Sequence, residues 1–278
     1  MCSSEAPATG RIRLDLAYLG TRFEGWQIQE TMRGGEVPRT VQGVLEAVLS
    51  KLYGAPLRVT GASRTDAGVH AEGQIAHFDE PAGGPRIPPP GLLSGLNSLL
   101  PEDLRVTSVA RAPVGWNARF SACGKVYRYR LRLGLFLHPH RGLIEALVKE
   151  PLDVDAMRRA ARLLVGTRDF RPFSIAGSEP RTTVTTLTRL EVNEEEGLLL
   201  ITAEGDRFLR GMVRRLVGTL REAGRGRISP EEAPECPGPT AEARGLTLER
   251  VLYPPERPGG SSSNFPRATG NLGGRSRV

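Results

Sequence analysis

The sequence is poor in cysteine and has no long apolar run. Three cysteines lie far apart among 278 residues and form no Cys-x-x-Cys pair. This spacing argues against a disulfide framework or a zinc site and favours a reducing compartment. No apolar segment approaches the ~20 residues needed to span a bilayer, and the start, MCSSEAPATG, lacks the pattern of a secretion signal. These absences predict a soluble, cytoplasmic protein without membrane attachment.

The signatures of common cofactor sites are also missing. The chain contains no P-loop, no G-x-G-x-x-G and no H-E-x-x-H motif, which argues against P-loop nucleotide, dinucleotide and zinc-protease chemistry. Its four histidines do not show the spacing of metal ligands. We therefore expect neither a cofactor nor a metal.

Lysine is scarce: only three of the 38 basic residues are lysine. Arginine suits phosphate recognition and base stacking, but a GC-rich genome gives the same bias and is the weightier explanation. Residues 257–278 contribute four positive charges to a net charge of +7. This segment is rich in Pro, Gly and Ser, and we expect it to be disordered. The basic total still indicates a polyanionic partner such as nucleic acid.

The pattern of apolar residues predicts a mixed α/β chain. Strands are expected at 11–19, around 57–59 and 75–78, and at 104–110, 125–133, 182–192 and 197–203. In the first of these strands, Ile12, Leu14, Leu16 and Tyr18 alternate onto one face, which predicts that this face is buried. Helices are expected at 41–52 and 92–100, after a cap at Asp153 or Asp155 up to residue 164, and at 207–220, with a last short element at 246–252. The first part has the order of a split β-α-β-β-α-β unit, and the second repeats the theme loosely. The predicted divisions are a flexible N-terminus (1–10), a first lobe (11–112), a second lobe (113–253) and a disordered basic tail (254–278).

The helix predicted at 207–220 has an arginine-rich side. At 100° per residue, four arginines cluster beside its apolar stripe: Arg207, Arg210, Arg214 and Arg221. Such a row fits a phosphate backbone and predicts RNA binding. A solvated basic face explains the same pattern equally well.

The stretch GASRTDAGVHAEGQIAHFD, residues 61–79, joins two apolar runs through a polar turn. Arg64 precedes Asp66 by two residues, and glycine follows. Reactive groups tend to sit on loops carried by a rigid sheet, so this turn is a candidate for presenting a carboxylate. The alternative is an ordinary Asx-turn in which Asp66 bonds its own backbone and Arg64 is a solvated neighbour.

A single carboxylate can act as nucleophile or general base without a cofactor. The chain contains, besides Asp66, an aromatic residue, Tyr127, on one face of a predicted strand, and the arginine-rich helix predicted at 207–220. This combination indicates chemistry on a base or sugar of RNA, with the target nucleotide taken out of its stack.

Several ordered motifs resemble those of the tRNA pseudouridine synthase A (TruA) family over residues 11 to about 253. The motifs are YLGTRFEGWQ, TVQGVLE, ASRTDAGVHAEGQIAHF, LNSLLPEDLRV, NARFSACGKVYRYRL, GTRDF, GDRFLRGMVRRLVGTL and ARGLTLERVLY. RTDAGVH is the most specific of them. The resemblance implies an α/β (α+β) fold of two ferredoxin-like or RRM-like lobes, with joined, mainly antiparallel sheets and a catalytic cleft between them.

The resemblance also implies an activity and its residues. It implies isomerisation of uridine to pseudouridine in the anticodon stem-loop of tRNA (tRNA positions 38, 39 and 40), by a homodimer that needs no cofactor or metal. Asp66 matches the catalytic aspartate, and Arg64 the arginine that contacts it and fills the space of the flipped base. Tyr127 matches the tyrosine that stacks on the uracil and assists proton removal. Arg214 matches an arginine that can pair with the aspartate.

The sequence departs from the family pattern at a few places. Ser63 stands where the family usually has Gly, and Arg210 and Gly211 replace bulkier residues. The insertion 30–39 and the tail 254–278 lie outside the pattern. None of these departures removes a residue implied to be catalytic.

Two other functions compete with the isomerase. A non-catalytic RNA-binding protein on the same scaffold would be expected to have lost the RTD triplet, which is intact. An RNA N-glycosidase would usually need a second carboxylate and would release free uracil. Whether Asp66 acts as nucleophile or as base stays open at this stage.

Overall fold

The computed structural model describes residues 10–29, 37–175 and 182–255. In these ranges, four helices accompany one large, mainly antiparallel sheet, as the sequence predicts. Almost all of the N-terminal segment predicted to be flexible (1–10), most of the insertion 30–39 and nearly all of the tail 254–278 lie outside the described residues. None of the helices described is long and apolar enough to cross a membrane.

The first part of the chain has the predicted β-α-β-β-α-β order. Its elements are β1 (Arg11–Tyr18), α1 (Val41–Tyr53), β2 (Thr60–Gly61), β3 (His70–Asp79), α2 (Pro89–Leu99) and β4 (Leu104–Arg111). Alternate residues of β1 are buried, because one face of the strand packs on the core. Helix α1 begins where expected, since the Thr40 side chain accepts a hydrogen bond from the Gly43 N–H.

The second part contributes the remaining strands and two helices. Its elements are β5 (Gly124–Leu133), β6 (Ala146–Val148), α3 (Val154–Leu164), β7 (Gly166–Asp169), β8 (Val184–Glu195), β9 (Leu198–Gly205), α4 (Met212–Gly224) and β10 (Leu246–Leu252). Tyr129 and Leu131 of β5 are fully buried, in agreement with the predicted two-faced strand. Asp153 caps α3 by accepting a hydrogen bond from the Ala156 N–H.

The last strand holds the two parts of the chain in one sheet. The order is β4-β1-β3-β10-β5-β9-β8-β7, with β2 beside β3 and β6 beside β5. Strand β10 runs parallel to β3 and antiparallel to β5. The short element expected at 246–252 is therefore a central strand, and it brings the start of β3 near the middle of β5.

Three predicted boundaries were wrong. The helix predicted at 207–220 begins only at Met212, because Gly211 has a left-handed backbone with φ 69°, which an α-helix cannot continue through. The strand expected around residues 57–59 is reduced to two residues, Thr60–Gly61. Helix α2 starts at Pro89, before the predicted position, since proline fits the first turn of a helix.

Candidate active site

Asp66 lies on the loop that connects β2 to β3, and we call residues 62–69 the Asp66 loop. The preceding segment, residues 20–26, holds this loop by backbone contacts: the Trp26 N–H donates to the Thr65 carbonyl at 3.0 Å, and the Gly68 N–H to that of Phe23 at 3.2 Å. Gly25 has φ 95°, and a Cβ there would lie 2.7 Å from the Thr65 carbonyl oxygen. Only glycine allows so close an approach. The motif GTRFEGW therefore packs against the Asp66 loop and supports it.

The Asp66 carboxylate faces two arginines from the second part of the chain. Its Oδ2 lies 3.7 Å from Nη1 of Arg214, and its Oδ1 lies 4.0 Å from Nε of Arg210. Within the described ranges no hydrogen bond from a backbone N–H to this carboxylate is seen, so the Asx-turn alternative does not describe the loop. The carboxylate is partly exposed, and a ligand can therefore reach it.

Arg64 is the second predicted site residue on the Asp66 loop. Its side chain is exposed and makes no ion pair with Asp66 among the described residues. Residues two apart share a face only in a regular extended strand, and Arg64 and Asp66 lie in an irregular loop between β2 and β3. The ion pair expected between Arg64 and Asp66 is thus not seen in the described residues, and the role implied for Arg64 stays a prediction.

Arg214 is held in place by a separate segment of the chain. Its Nε donates a hydrogen bond of 2.7 Å to the Ala241 carbonyl, and the Ala241 N–H donates to the Arg214 carbonyl at 3.1 Å. Arg214 lies in the first turn of α4, where the positive end of the helix dipole favours an adjacent carboxylate. The left-handed Gly211 sets where this turn begins, and it therefore helps to position Arg214.

Tyr127 projects from the middle of β5 towards the Asp66 loop. Its hydroxyl is 2.9 Å from Oγ of Ser63, and its ring meets that of Phe208 edge to face at 5.2 Å. Burial raises the pKa of Tyr127 to about 12; the Ser63 hydrogen bond lowers the pKa, and the charge of Asp66 raises it further. Tyr127 is therefore a neutral phenol near the Asp66 carboxylate at neutral pH.

A buried polar network lies under the Asp66 loop. Gln74 of β3 is fully buried; it accepts from the Ser63 N–H at 3.2 Å and donates to the Ser63 carbonyl at 2.7 Å. The same amide nitrogen is 3.4 Å from the Tyr18 hydroxyl, which lies 2.9 Å from Oγ1 of Thr65. Because the network pairs residues on both sides of position 64, it fixes the backbone that leads to Asp66.

His70 anchors the other end of the loop. Its Nδ1 accepts from the Gly20 N–H at 3.0 Å, so its Nε2 carries the proton and donates to the Arg244 carbonyl at 3.0 Å. Burial lowers the pKa of His70, which keeps the ring neutral and its two bonds intact. Its role is to join the loop to the segment before β10. In the described chain, no group of three or more His, Cys, Asp or Glu residues could hold a metal ion.

The four arginines predicted to form a row do not form one. Arg210 and Arg214 lie at Asp66, but Arg207 turns back and donates to the carbonyls of Thr182 and Val184 at 2.7 and 2.6 Å. The charge of Arg221 lowers the pKa of the Tyr129 phenol, against the raising effect of burial. Arg221 therefore lies near Tyr129. The row was wrong because residues 207–211 precede the helix. Binding of RNA by these side chains stays a prediction.

The basic face of β5 is neutralised in the structure. Each of its arginines pairs with an acid: Arg128 with Glu249 at 2.9 Å, Arg130 with Glu72 at 3.1 Å and Arg132 with Glu145 at 2.9 Å. This face therefore binds the sheet to its surroundings through ion pairs.

Chemically, the site combines one carboxylate with two guanidiniums and a neutral phenol. Asp66 comes from the first part of the chain, and Arg210, Arg214 and Tyr127 come from the second. Reasoning from the sequence missed the place of Arg210 at Asp66 and the contact of Ser63 with Tyr127. The only signal for either was a departure from the family pattern at both positions.

Comparisons with known proteins match most of the chain to one family. The family model described as tRNA pseudouridine synthase matches residues 16–121 and 160–254. The chain is similar to tRNA pseudouridine synthase A of Geobacter sulfurreducens, with 41% identity over 250 residues that cover 87% of this chain and 99% of the relative. It is also similar to the proteins of that name from Myxococcus xanthus (39% identity, covering 91% and 97%) and Chlamydia trachomatis serovar A (38%, covering 89% and 93%).

Proposed function

The chain belongs to the tRNA pseudouridine synthase family and isomerises uridine to pseudouridine in tRNA, and we propose that Asp66 carries out this reaction on uridines of the anticodon stem-loop. The observation that supports Asp66 is its position: its carboxylate faces Arg210 and Arg214 and lies near enough to the Tyr127 phenol to raise its pKa. This group of residues spans both parts of the chain.

The reaction suits such a site. It breaks the bond between C1′ and N1 of uracil, turns the base, and forms a bond between C1′ and C5. C5 gives up its proton and N1 gains one, so substrate and product have the same composition. One carboxylate near C1′ and C2′ suffices, either as a nucleophile at carbon or as a base for the C2′ proton. Arg214 and Arg210 would hold this carboxylate in place, and a closed pocket would keep the free base from escaping.

Tyr127 would enter the reaction as a phenol. With a pKa of about 12, only on the order of one molecule in 10⁵ carries a phenolate at pH 7. We therefore assign Tyr127 to holding the uracil by ring contact and hydrogen bonding, and any proton that it accepts must follow the loss of its own. Phe208, which meets the Tyr127 ring at 5.2 Å, would keep that ring in its orientation.

Arg64 would act on the RNA rather than on Asp66. Its exposed side chain leaves the guanidinium available to stack on bases or to bind phosphate. It sits two residues from the carboxylate, so it can reach the space that the target uridine leaves when it turns out of the helix. This assignment supports the second half of the role implied for Arg64 and omits the first.

The anticodon-arm proposal is tested with tRNA transcripts tritiated at uracil C5. Isomerisation releases this tritium to water, because C5 becomes the point of attachment. We expect release to be lost when the uridines of the anticodon arm are replaced by cytidine, and to be kept when T-loop uridines are replaced instead. Release that survives the anticodon-arm replacements would contradict the proposed target. Free uracil among the products would indicate the N-glycosidase.

We also propose that the protein is a homodimer with the apolar segment after β5 at its interface. Three apolar side chains of this segment are exposed: Leu135, Phe136 and Leu143. Exposed apolar side chains grouped in one segment are typical of an interface. We expect the unaltered protein to have the mass of a dimer in solution and Phe136→Asp to shift it to the monomer, because the new charge would be buried against a copy of itself.

The mass is measured by light scattering after size-exclusion chromatography. Val37→Asp serves as the matched control, since Val37 is equally exposed but belongs to a different segment, and it should remain dimeric. A monomeric unaltered protein, or a dimer that Phe136→Asp leaves intact, would contradict the proposed interface.

A further inference from the structure

We propose that Ser63 is a positioning residue for the reaction, because its hydroxyl holds the Tyr127 phenol beside Asp66. The inference rests on the proposed place of Tyr127 in the site. Ser63 Oγ and the Tyr127 hydroxyl are 2.9 Å apart, and both residues are buried. Ser63 stands three residues before Asp66, so this hydrogen bond joins the Asp66 loop of the first part of the chain directly to strand β5 of the second.

The Ser63 oxygen has a fixed position because the Ser63 backbone is clamped. Gln74 binds the N–H and the carbonyl of Ser63 with its two amide atoms, at 3.2 and 2.7 Å. Gln74 is itself fully buried in β3 and approaches the Tyr18 hydroxyl at 3.4 Å. Because its backbone is held in place, the Ser63 hydroxyl can fix the orientation of the Tyr127 phenol. A hydroxyl on an unrestrained loop would instead move together with the phenol.

Ser63 is also the hydrogen-bond partner that Tyr127 has in the described part of the chain. Without the hydroxyl, the buried phenol would lose its bond and would turn or recruit water, because a buried polar group left unsatisfied is costly. The Tyr127 ring would still be held by Phe208. The loss should therefore disturb the orientation of the phenol and leave the core intact.

The sequence resemblance implies glycine at the position of Ser63. Glycine has no hydroxyl, so an enzyme with glycine there would have to orient its tyrosine in another way. The hydroxyl is thus a refinement of the site and not a requirement of the chemistry. Its loss should slow the reaction by about 5- to 10-fold, the amount associated with one hydrogen bond.

The test is a double-mutant cycle on the full-length protein, read by single-turnover tritium release and by the Kd for tRNA. We expect Ser63→Ala and Ser63→Gly to slow the single-turnover rate about 5- to 10-fold with Kd unchanged, and Ser63→Thr, which keeps the hydroxyl, to restore most of the rate. In a Tyr127→Phe background, Ser63→Ala should have less than about a 2-fold further effect, since the bond is already absent.

The control is Ser98→Ala, which removes a hydroxyl that bonds the Gly95 carbonyl on α2 and should keep the full rate. A Ser63→Ala enzyme with an unchanged rate, beside a slow Tyr127→Phe enzyme, would overturn the role of Ser63 alone. An equal effect of Ser63→Ala in both backgrounds would also overturn it, because Ser63 would then act without Tyr127. A Tyr127→Phe enzyme with an unchanged rate would overturn the proposed role of Tyr127 as well.

Discussion

Asp66→Asn should lower tritium release by a factor on the order of 10⁴ or more, as expected when the reacting group itself is removed. The amide has nearly the shape of the carboxylate, so it can occupy the same space beside Arg210 and Arg214. It cannot form the bond expected of a nucleophile, and it cannot accept the C2′ proton as a base. The loss is therefore expected whichever of the two roles Asp66 has.

Binding of tRNA should survive the same substitution. The change removes a negative charge from a surface that meets a polyanion, so the affinity for tRNA should be kept or rise slightly. The rate is measured by tritium release under single-turnover conditions and the affinity by fluorescence anisotropy, at one fixed salt concentration. An enzyme that loses turnover together with binding would indicate misfolding, which thermal unfolding detects.

The chain offers a matched control in Asp15. Its side chain is 29% exposed, as is that of Asp66, and it also pairs with an arginine, Arg13, at 2.7 Å. Asp15→Asn removes the same charge at the same degree of burial, but from strand β1. It should retain turnover within a few-fold. Substantial turnover by Asp66→Asn would contradict the catalytic assignment.

The sequence predicts those helices and strands whose buried positions follow from the pattern of apolar residues within the element itself. Strand β1 shows this most clearly: its alternation is a local pattern, and each buried position in the structure is one that the alternation predicted. Helix α3 behaves in the same way, because both its cap, Asp153, and its inward residues lie close together in the chain. Local pattern and global burial agree in such elements.

The start of α4 shows where local reasoning fails. Residues 207–211 have the composition of a helix, but Asp206 accepts a hydrogen bond from the Thr186 N–H at 3.0 Å and Arg207 is bonded to Val184. These contacts to β8 hold the segment against the sheet until Gly211 turns it into the helix. The contacts join residues about twenty positions apart, and helical periodicity contains no information about them.

The site was predicted in part, and for different reasons. The roles of Asp66 and Arg214 were predicted from the resemblance, and the structure places Asp66 Oδ2 3.7 Å from Arg214 Nη1. Without the resemblance, the sequence pattern could only assign each residue to its own loop or helix. The contacts of Asp66 with Arg210 and of Ser63 with Tyr127 were not predicted, because each crosses from one part of the chain to the other and the resemblance did not imply it. Strand β10 makes these contacts possible by pairing with both β3 and β5.

Arg214→Gln should lower turnover by about 100-fold, comparable to the loss of one preorganised electrostatic contact. Arg214 is the closer of the two arginines at Asp66, at 3.7 Å against 4.0 Å for Arg210, and it is the less exposed, at 19% against 52%. Arg210→Gln should therefore cost only a few-fold, because its charge is screened by solvent. The order of the two effects tests which guanidinium holds the carboxylate.

Arg214→Lys separates charge from geometry at this position. Lysine keeps the positive charge but has no counterpart to Nε, which donates to the Ala241 carbonyl at 2.7 Å, so its ammonium would not be anchored. We expect turnover between that of the unaltered enzyme and that of Arg214→Gln, near 10-fold below the former. Arg13→Gln is the control, since Arg13 is 17% exposed and pairs with Asp15; it should stay within a few-fold. Full activity of Arg214→Gln would mean that Asp66 keeps its position without this guanidinium, and the anchoring by Ala241 would then have no part in the reaction.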